Sequence, residues 1–114
     1  MKRIGSLAIF GTLMLVHPLQ ASSHELECAV VENDDKIIQC TFSSVRLATD
    51  RNITFFWNSQ TTPQDDRERS FVLPAGHGSV YDYRYYYGRA PGIWQVRVAD
   101  DSGKTLAETS FTIE

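Results

Sequence analysis

From Leu26 to the end of the chain, apolar side chains recur at every second position in short runs, and this period of two prescribes strands. Successive strand residues point to opposite faces of a sheet, so alternation buries one face and wets the other. Leu26, Cys28 and Val30 share one face of a first strand, and Ile38, Cys40 and Phe42 share one face of a second, with Asn33-Asp34-Asp35 as the turn between them. Ile53, Phe55 and Trp57 line a third. Phe71 and Leu73 open a fourth that stops at Pro74-Ala75-Gly76, and 80–87 forms a fifth. Trp94, Val96 and Val98 line a sixth, Asp101-Ser102-Gly103 turns the chain, and Ala107, Thr109, Phe111 and Ile113 line a seventh. The polar stretch 61–66, which contains Pro63, reads as a loop. No segment carries a 3.6-residue period. Seven short antiparallel strands predict an all-β, two-sheet sandwich.

The two cysteines give this pattern a register. A hairpin centred on Asp34 sets Cys28 opposite Cys40, Val30 opposite Ile38 and Leu26 opposite Phe42, with both sulfurs on the apolar face. A disulfide is expected there if the chain reaches an oxidising compartment. Spacing other than C-x-x-C speaks against a redox or metal-binding pair.

The first residues have the form of an export leader. Lys2 and Arg3 supply a positive start, and 7–16 is an uncharged apolar run. His17, Pro18, Leu19 and Gln20 interrupt it before the small residues Ala21-Ser22-Ser23. The run falls short of the roughly 20 apolar residues that a membrane-spanning helix needs. Cleavage after Ala21 is favoured and leaves Ser22 first; cleavage after Ser23 is the alternative and leaves His24 first. On the former, 1–21 is a signal peptide and 22–114 a single domain, periplasmic or secreted, without a transmembrane segment. Loss of Lys2 and Arg3 leaves nine basic against 14 acidic residues, a formal charge of −5. An acidic chain does not suit a nucleic-acid or anionic-membrane partner.

The end of the chain carries a resemblance. Gly92-Ile93-Trp94-Gln95-Val96-Arg97-Val98, then Asp101-Ser102-Gly103-Lys104, Leu106 and Phe111-Thr112-Ile113, resembles the last hairpin of bacterial exported immunoglobulin-like or fibronectin type III-like domains. The likeness covers about the last quarter of the chain. It implies an immunoglobulin-like sandwich and leaves the activity open, because such sandwiches carry many functions.

Candidate functional residues concentrate in one place. All five tyrosines lie in Tyr81-Asp82-Tyr83-Arg84-Tyr85-Tyr86-Tyr87-Gly88-Arg89. Tyrosine joins a flat apolar body to a polar tip and suits recognition of a protein, peptide or glycan. In a strand the odd-numbered tyrosines share one face. Tyr81 and Tyr83 are expected to pack on the second sheet, leaving Arg84, Tyr86 and Arg89 outward. With Tyr85 and Tyr87, these form the candidate partner-binding set, and if the faces are reversed the role falls to Tyr85 and Tyr87. Catalysis lacks support: there is no G-x-S-x-G elbow and no thiol left once the disulfide forms. Asp34-Asp35, Asp65-Asp66 and Asp100-Asp101 read as solvated turns.

A copper site is the alternative. With Ser22 first, the terminal amine, two amides and the His24 imidazole fall in the order of a square-planar nitrogen site. With His24 first, its amine and ring can clamp the metal, and His77 in Ala75-Gly76-His77-Gly78 is a further candidate ligand. Periplasmic copper carriers of the same general fold end with a similar hairpin. Unlike them, this chain lacks Met-rich segments and a His after the last turn. The sequence expectation is therefore an exported immunoglobulin-like binding or interaction module, as an inhibitor or accessory subunit, without a catalytic site.

Overall fold

The computed structural model describes residues 2–3 and 23–114. Seven strands follow one another: β1 (His24–Glu32), β2 (Lys36–Ser44), β3 (Arg51–Ser59), β4 (Arg67–Leu73), β5 (Ser79–Tyr85), β6 (Gly92–Asp100) and β7 (Thr105–Ile113). They form two antiparallel sheets, one ordered β1-β2-β5 and the other β4-β3-β6-β7. The all-β sandwich expected from the alternation is thus what the chain forms, with three strands facing four. A two-residue strand, Lys2–Arg3, adds to the free edge of β1, with Lys2 opposite Val30 and Arg3 opposite Ala29. The remainder of the expected leader and the favoured cleavage point after Ala21 lie outside the described residues; the alternative point falls between the described Ser23 and His24.

The alternation settles the core. Phe42 and Ile38 from one sheet meet Phe55, Trp57, Trp94, Val96 and Phe111 from the other, all essentially buried. Trp94 stacks on Phe111 at 6.5 Å between ring centres, and Trp57 meets the same ring edge-on at 6.4 Å. The Trp94 indole N–H donates to the Ala90 carbonyl at 2.8 Å, so its polar atom is satisfied inside an apolar layer.

The first hairpin has the register expected from its cysteines. Cys28 faces Cys40, Val30 faces Ile38, Leu26 faces Phe42, and Cys28 and Cys40 are joined as a disulfide. Two assignments differ from expectation. The fourth strand runs back to Arg67, because Arg67-Glu68-Arg69-Ser70 pair with β3 although they break the apolar alternation. The fifth ends at Tyr85, and Tyr86 and Tyr87 lie in the turn that follows, where Gly88 takes a positive φ of 94°. Among the described residues no helix is long and apolar enough to cross a membrane.

Candidate functional site

Strand β5 is an edge strand, and its two faces have opposite chemistry. Each position is fixed by its neighbours across the sheet. Glu27, Thr41 and Tyr81 form one row, Ala29, Gln39 and Tyr83 the next, and Val31, Ile37 and Tyr85 the third. These rows face out. The intervening rows, Cys28–Cys40–Asp82 and Val30–Ile38–Arg84, face in.

The expected assignment of the two faces is therefore reversed. Tyr81, Tyr83, Tyr85 and Tyr87 are 49%, 38%, 53% and 73% exposed, whereas Asp82 and Arg84 are 1% and 7% exposed. Of the candidate set Arg84, Tyr85, Tyr86, Tyr87 and Arg89, only Tyr85 and Tyr87 stand in solvent. Tyr86 is half-buried against the core, with the Lys36 ammonium 4.1 Å from its ring centre. Arg89 is half-buried with its Nε 3.2 Å from Asp65 Oδ2.

The inversion has a physical cause. Trp57 lies in the core, and its indole N–H needs an acceptor. Asp82 Oδ2 accepts it at 2.8 Å. A carboxylate this deep requires cations, and β4 supplies them. One Arg67 guanidinium nitrogen reaches both Asp82 oxygens at 3.0 Å, and Arg69 lies at 3.4 Å. The backbone N–H of Tyr83 donates to Asp82 Oδ1 at 2.9 Å, and Arg67 also donates to the Tyr83 carbonyl at 2.9 Å. Arg84, two residues on, passes between the tryptophans, its guanidinium carbon 5.8 Å from the Trp57 ring centre and 5.5 Å from that of Trp94. It donates to the Asp65 carbonyl at 2.7 Å and to Asp65 Oδ1 at 3.1 Å. Burial pushes the Arg84 guanidinium below its ordinary pKa, Arg89 and Arg67 push the same way, and Asp65 opposes them. Asp65 belongs to a short 3-10 turn (Pro63–Asp65) and also accepts from the Ala90 N–H. It is an anchor for two arginines rather than the solvated turn residue expected.

Outside, the tyrosines make a different surface. Tyr83 and Tyr85 meet edge to face at 5.9 Å, with ring planes at 89°. The Tyr85 phenol is pushed above its ordinary pKa, first by Tyr83 and then by Asp35. Asp34 and Asp35 are exposed at the hairpin turn, and Glu25 and Glu27 are exposed on the outward face of β1. Among the described residues no Lys or Arg occupies an outward position on β1, β2 or β5.

The two described histidines sit at the other end of β5. His24 Nδ1 lies 3.0 Å from Ser44 Oγ, and its ring stacks on Phe42 at 5.8 Å. His24 also lines an end cavity of about 520 Å³ with Val45, Leu47, Arg51 and Leu106. His77 is exposed in the 74–77 turn, outside that lining, and its carbonyl accepts from Arg51. Among the described residues no group of three or more His, Cys, Asp or Glu side chains is placed to hold a metal ion. The amino-terminal copper geometry needs Ser22, which lies outside the described residues. The two-sheet sandwich is consistent with a generic immunoglobulin-like or fibronectin type III-like topology, and the chain matches no family model and no curated protein.

Proposed function

We propose that this chain is an exported, periplasmic binding module without catalytic activity, acting as an inhibitor or accessory subunit. It docks through the outward face of the β1-β2-β5 sheet. The observation that carries this reading is the inversion of β5: its charges face inward while three tyrosines stand in solvent along one strand. Aromatic side chains exposed in a row are a poor use of a monomer's surface. They are the residue type most enriched at the centres of interfaces, where a large rigid ring loses little conformational entropy on contact. Export accords with the leader-like start and with the Cys28–Cys40 disulfide, a link characteristic of oxidising compartments.

Site-specific photo-crosslinking in the source cells tests both halves. With benzoylphenylalanine in place of Tyr83, a discrete adduct should form in the extracytoplasmic fraction. With the same group in place of Ile93, exposed on the opposite sheet, it should not. Adducts of equal yield from the two positions, or none from Tyr83, would remove the tyrosine face as the docking surface.

A further inference from the structure

The cavity at the end of the sandwich has an apolar floor and a partly acidic rim, and the tyrosine face makes no use of it. Phe42 of β2 and Ile53 of β3, both buried, form the floor. Leu106 joins them because of a bulge in β7. Val98 pairs with Ala107 and Ala99 with Thr105, so Leu106 has no partner across the ladder. The extra residue lets Leu106 and Ala107, consecutive in the strand, both pack against the core. Bulges of this kind re-aim side chains beside binding sites. At the mouth stand Val45 and Leu47, 50% and 43% exposed. Their loop is held in place by the protein itself: the Gly76 amide donates to the Leu47 carbonyl, the Ala75 amide to Asp50 Oδ1 and Arg51 to the Val45 carbonyl, each at 2.8 Å.

The charge of the lining selects the occupant. Asp50, Asp100 and Asp101 stand against one guanidinium, that of Arg51. Arg51 is turned to the neighbouring loops, donating to the carbonyls of Val45 and His77 and to the Ser44 hydroxyl. None of the three carboxylates forms an ion pair with a described Lys or Arg. Lys104 is the weakest influence on Asp100, whose ionised form is favoured chiefly by the Ser102 hydroxyl. Asp50 and Asp100 accept their hydrogen bonds on Oδ1 alone, and among the described residues Asp101 accepts none. The acids are also too dispersed for a metal ion, since no three such side chains are grouped among the described residues. We infer that this cavity binds a small amphiphilic cation, an amine on an alkyl or aryl body. Its apolar part rests on Phe42, Ile53 and Leu106 between Val45 and Leu47, and its ammonium faces Asp50, Asp100 and Asp101. The volume of about 520 Å³ lies in the range of about 300–1,000 Å³ usual for small-molecule sites. An anionic amphiphile would meet three carboxylates in exchange for one arginine already engaged.

Titration of the isotope-labelled full chain, followed by amide NMR shifts, tests the inference with three probes of one length: octylammonium, 1-octanol and octanoate. Octylammonium should bind about tenfold tighter than octanol, with octanoate weakest, and the preference should shrink as salt rises. The shifts should centre on Val45, Leu47 and Leu106. Asp50→Asn/Asp101→Asn keeps an acceptor for the Ala75 amide. It should lower octylammonium affinity about fivefold and leave octanol unaffected. Val45→Ser/Leu47→Ser, at exposed positions, should weaken both ligands about tenfold. Tyr83→Ser should alter none of this, so the cavity and the docking face stand or fall separately. Octanoate binding tightest overturns the inference and gives the site to Arg51. Equal binding of the three probes overturns it too, because apolar contact alone would then decide. So does an ammonium preference that survives the aspartate substitutions, or a titration that leaves Val45, Leu47 and Leu106 unshifted.

Discussion

Asp82 and Tyr83 are adjacent, yet one lies among the deepest groups of the molecule and the other in water. The inward face of β5 is polar and fully engaged: Asp82 serves Trp57, Arg67, Arg69 and the Tyr83 amide, and Arg84 lies between two tryptophans and holds Asp65. The outward face is aromatic. Strand polarity here follows what the neighbouring sheet needs rather than the hydrophobicity of the strand. On the β4–β5 side the sandwich is closed by an ion-pair network, and the side chains usually reserved for a core are released to the surface. Charges close the sandwich and aromatic rings are left in solvent.

Breaking the inward side should have the largest effect. Asp82→Ala leaves a buried indole N–H without an acceptor and two guanidinium groups without their counter-charge. It should cost about 3–4 kcal/mol, the lower part of the range for a broken buried pair, because Arg67 and Arg69 can turn toward water. Urea denaturation measures it, and a loss under about 1 kcal/mol would mean that the network is not what closes this side. Next comes the floor beneath it. Cys40 lies opposite Asp82 in β5, so replacing Cys28 and Cys40 together by Ala frees the hairpin that holds β5. A loss of about 2–3 kcal/mol is expected from the short loop they close.

The outward side should respond in the opposite way. Tyr83→Ser with Tyr85→Ser should change stability by no more than about 0.5 kcal/mol, the usual range for surface positions, while abolishing the Tyr83-face interaction. A loss as large as that of Asp82→Ala would erase the distinction between the faces. The smallest effect sharpens the contrast between carboxylates. Asp100, at the β6–β7 turn, is held below the ordinary aspartate value of 3.8 by hydrogen bonds from the Ser102 hydroxyl and the Lys104 and Ser102 amides. A pKa depressed in the folded state means stability that is complete above the unfolded value and is lost as pH falls through the folded one. The difference in melting temperature between the native chain and Asp100→Asn should be widest near neutral pH and close in acid, as a thermal scan across pH would show.

Much of the architecture can be read in the residues. The period of two identifies the strands, and the paired cysteines set the first hairpin's register, since one alignment alone places Leu26, Cys28 and Val30 opposite Phe42, Cys40 and Ile38. The site was only partly legible. The segment Tyr81–Tyr87 stands out in the sequence, but its faces do not, because alternation reports that two faces differ and not which one is inside. Assigning the aromatic face to the core is reasonable when apolar burial decides. Here the decision lay with Trp57 and Arg67, 25 and 15 residues away from Asp82, whose placement beside it depends on how the sheets stack. The charged run Arg67-Glu68-Arg69 was the available signal, a set of cations in search of a carboxylate. It breaks the apolar alternation, which by itself begins the strand only at Phe71. Asp65 was missed for the same reason, its partners Arg84 and Arg89 being distant in sequence.

The capped main chain of Tyr83 bears on how such a strand survives at high concentration. A stretch rich in tyrosine at the margin of a sheet is the kind of sequence that templates fibres, by offering free amides and carbonyls to the same stretch in another molecule. In this protein the Tyr83 amide is already spoken for by Asp82 and its carbonyl by Arg67. The lateral growth of a cross-β stack is therefore stopped at its middle residue, while the rings above remain open. The same aspartate–arginine contact that closes the sandwich acts as a gatekeeper against strand addition at this point of the edge.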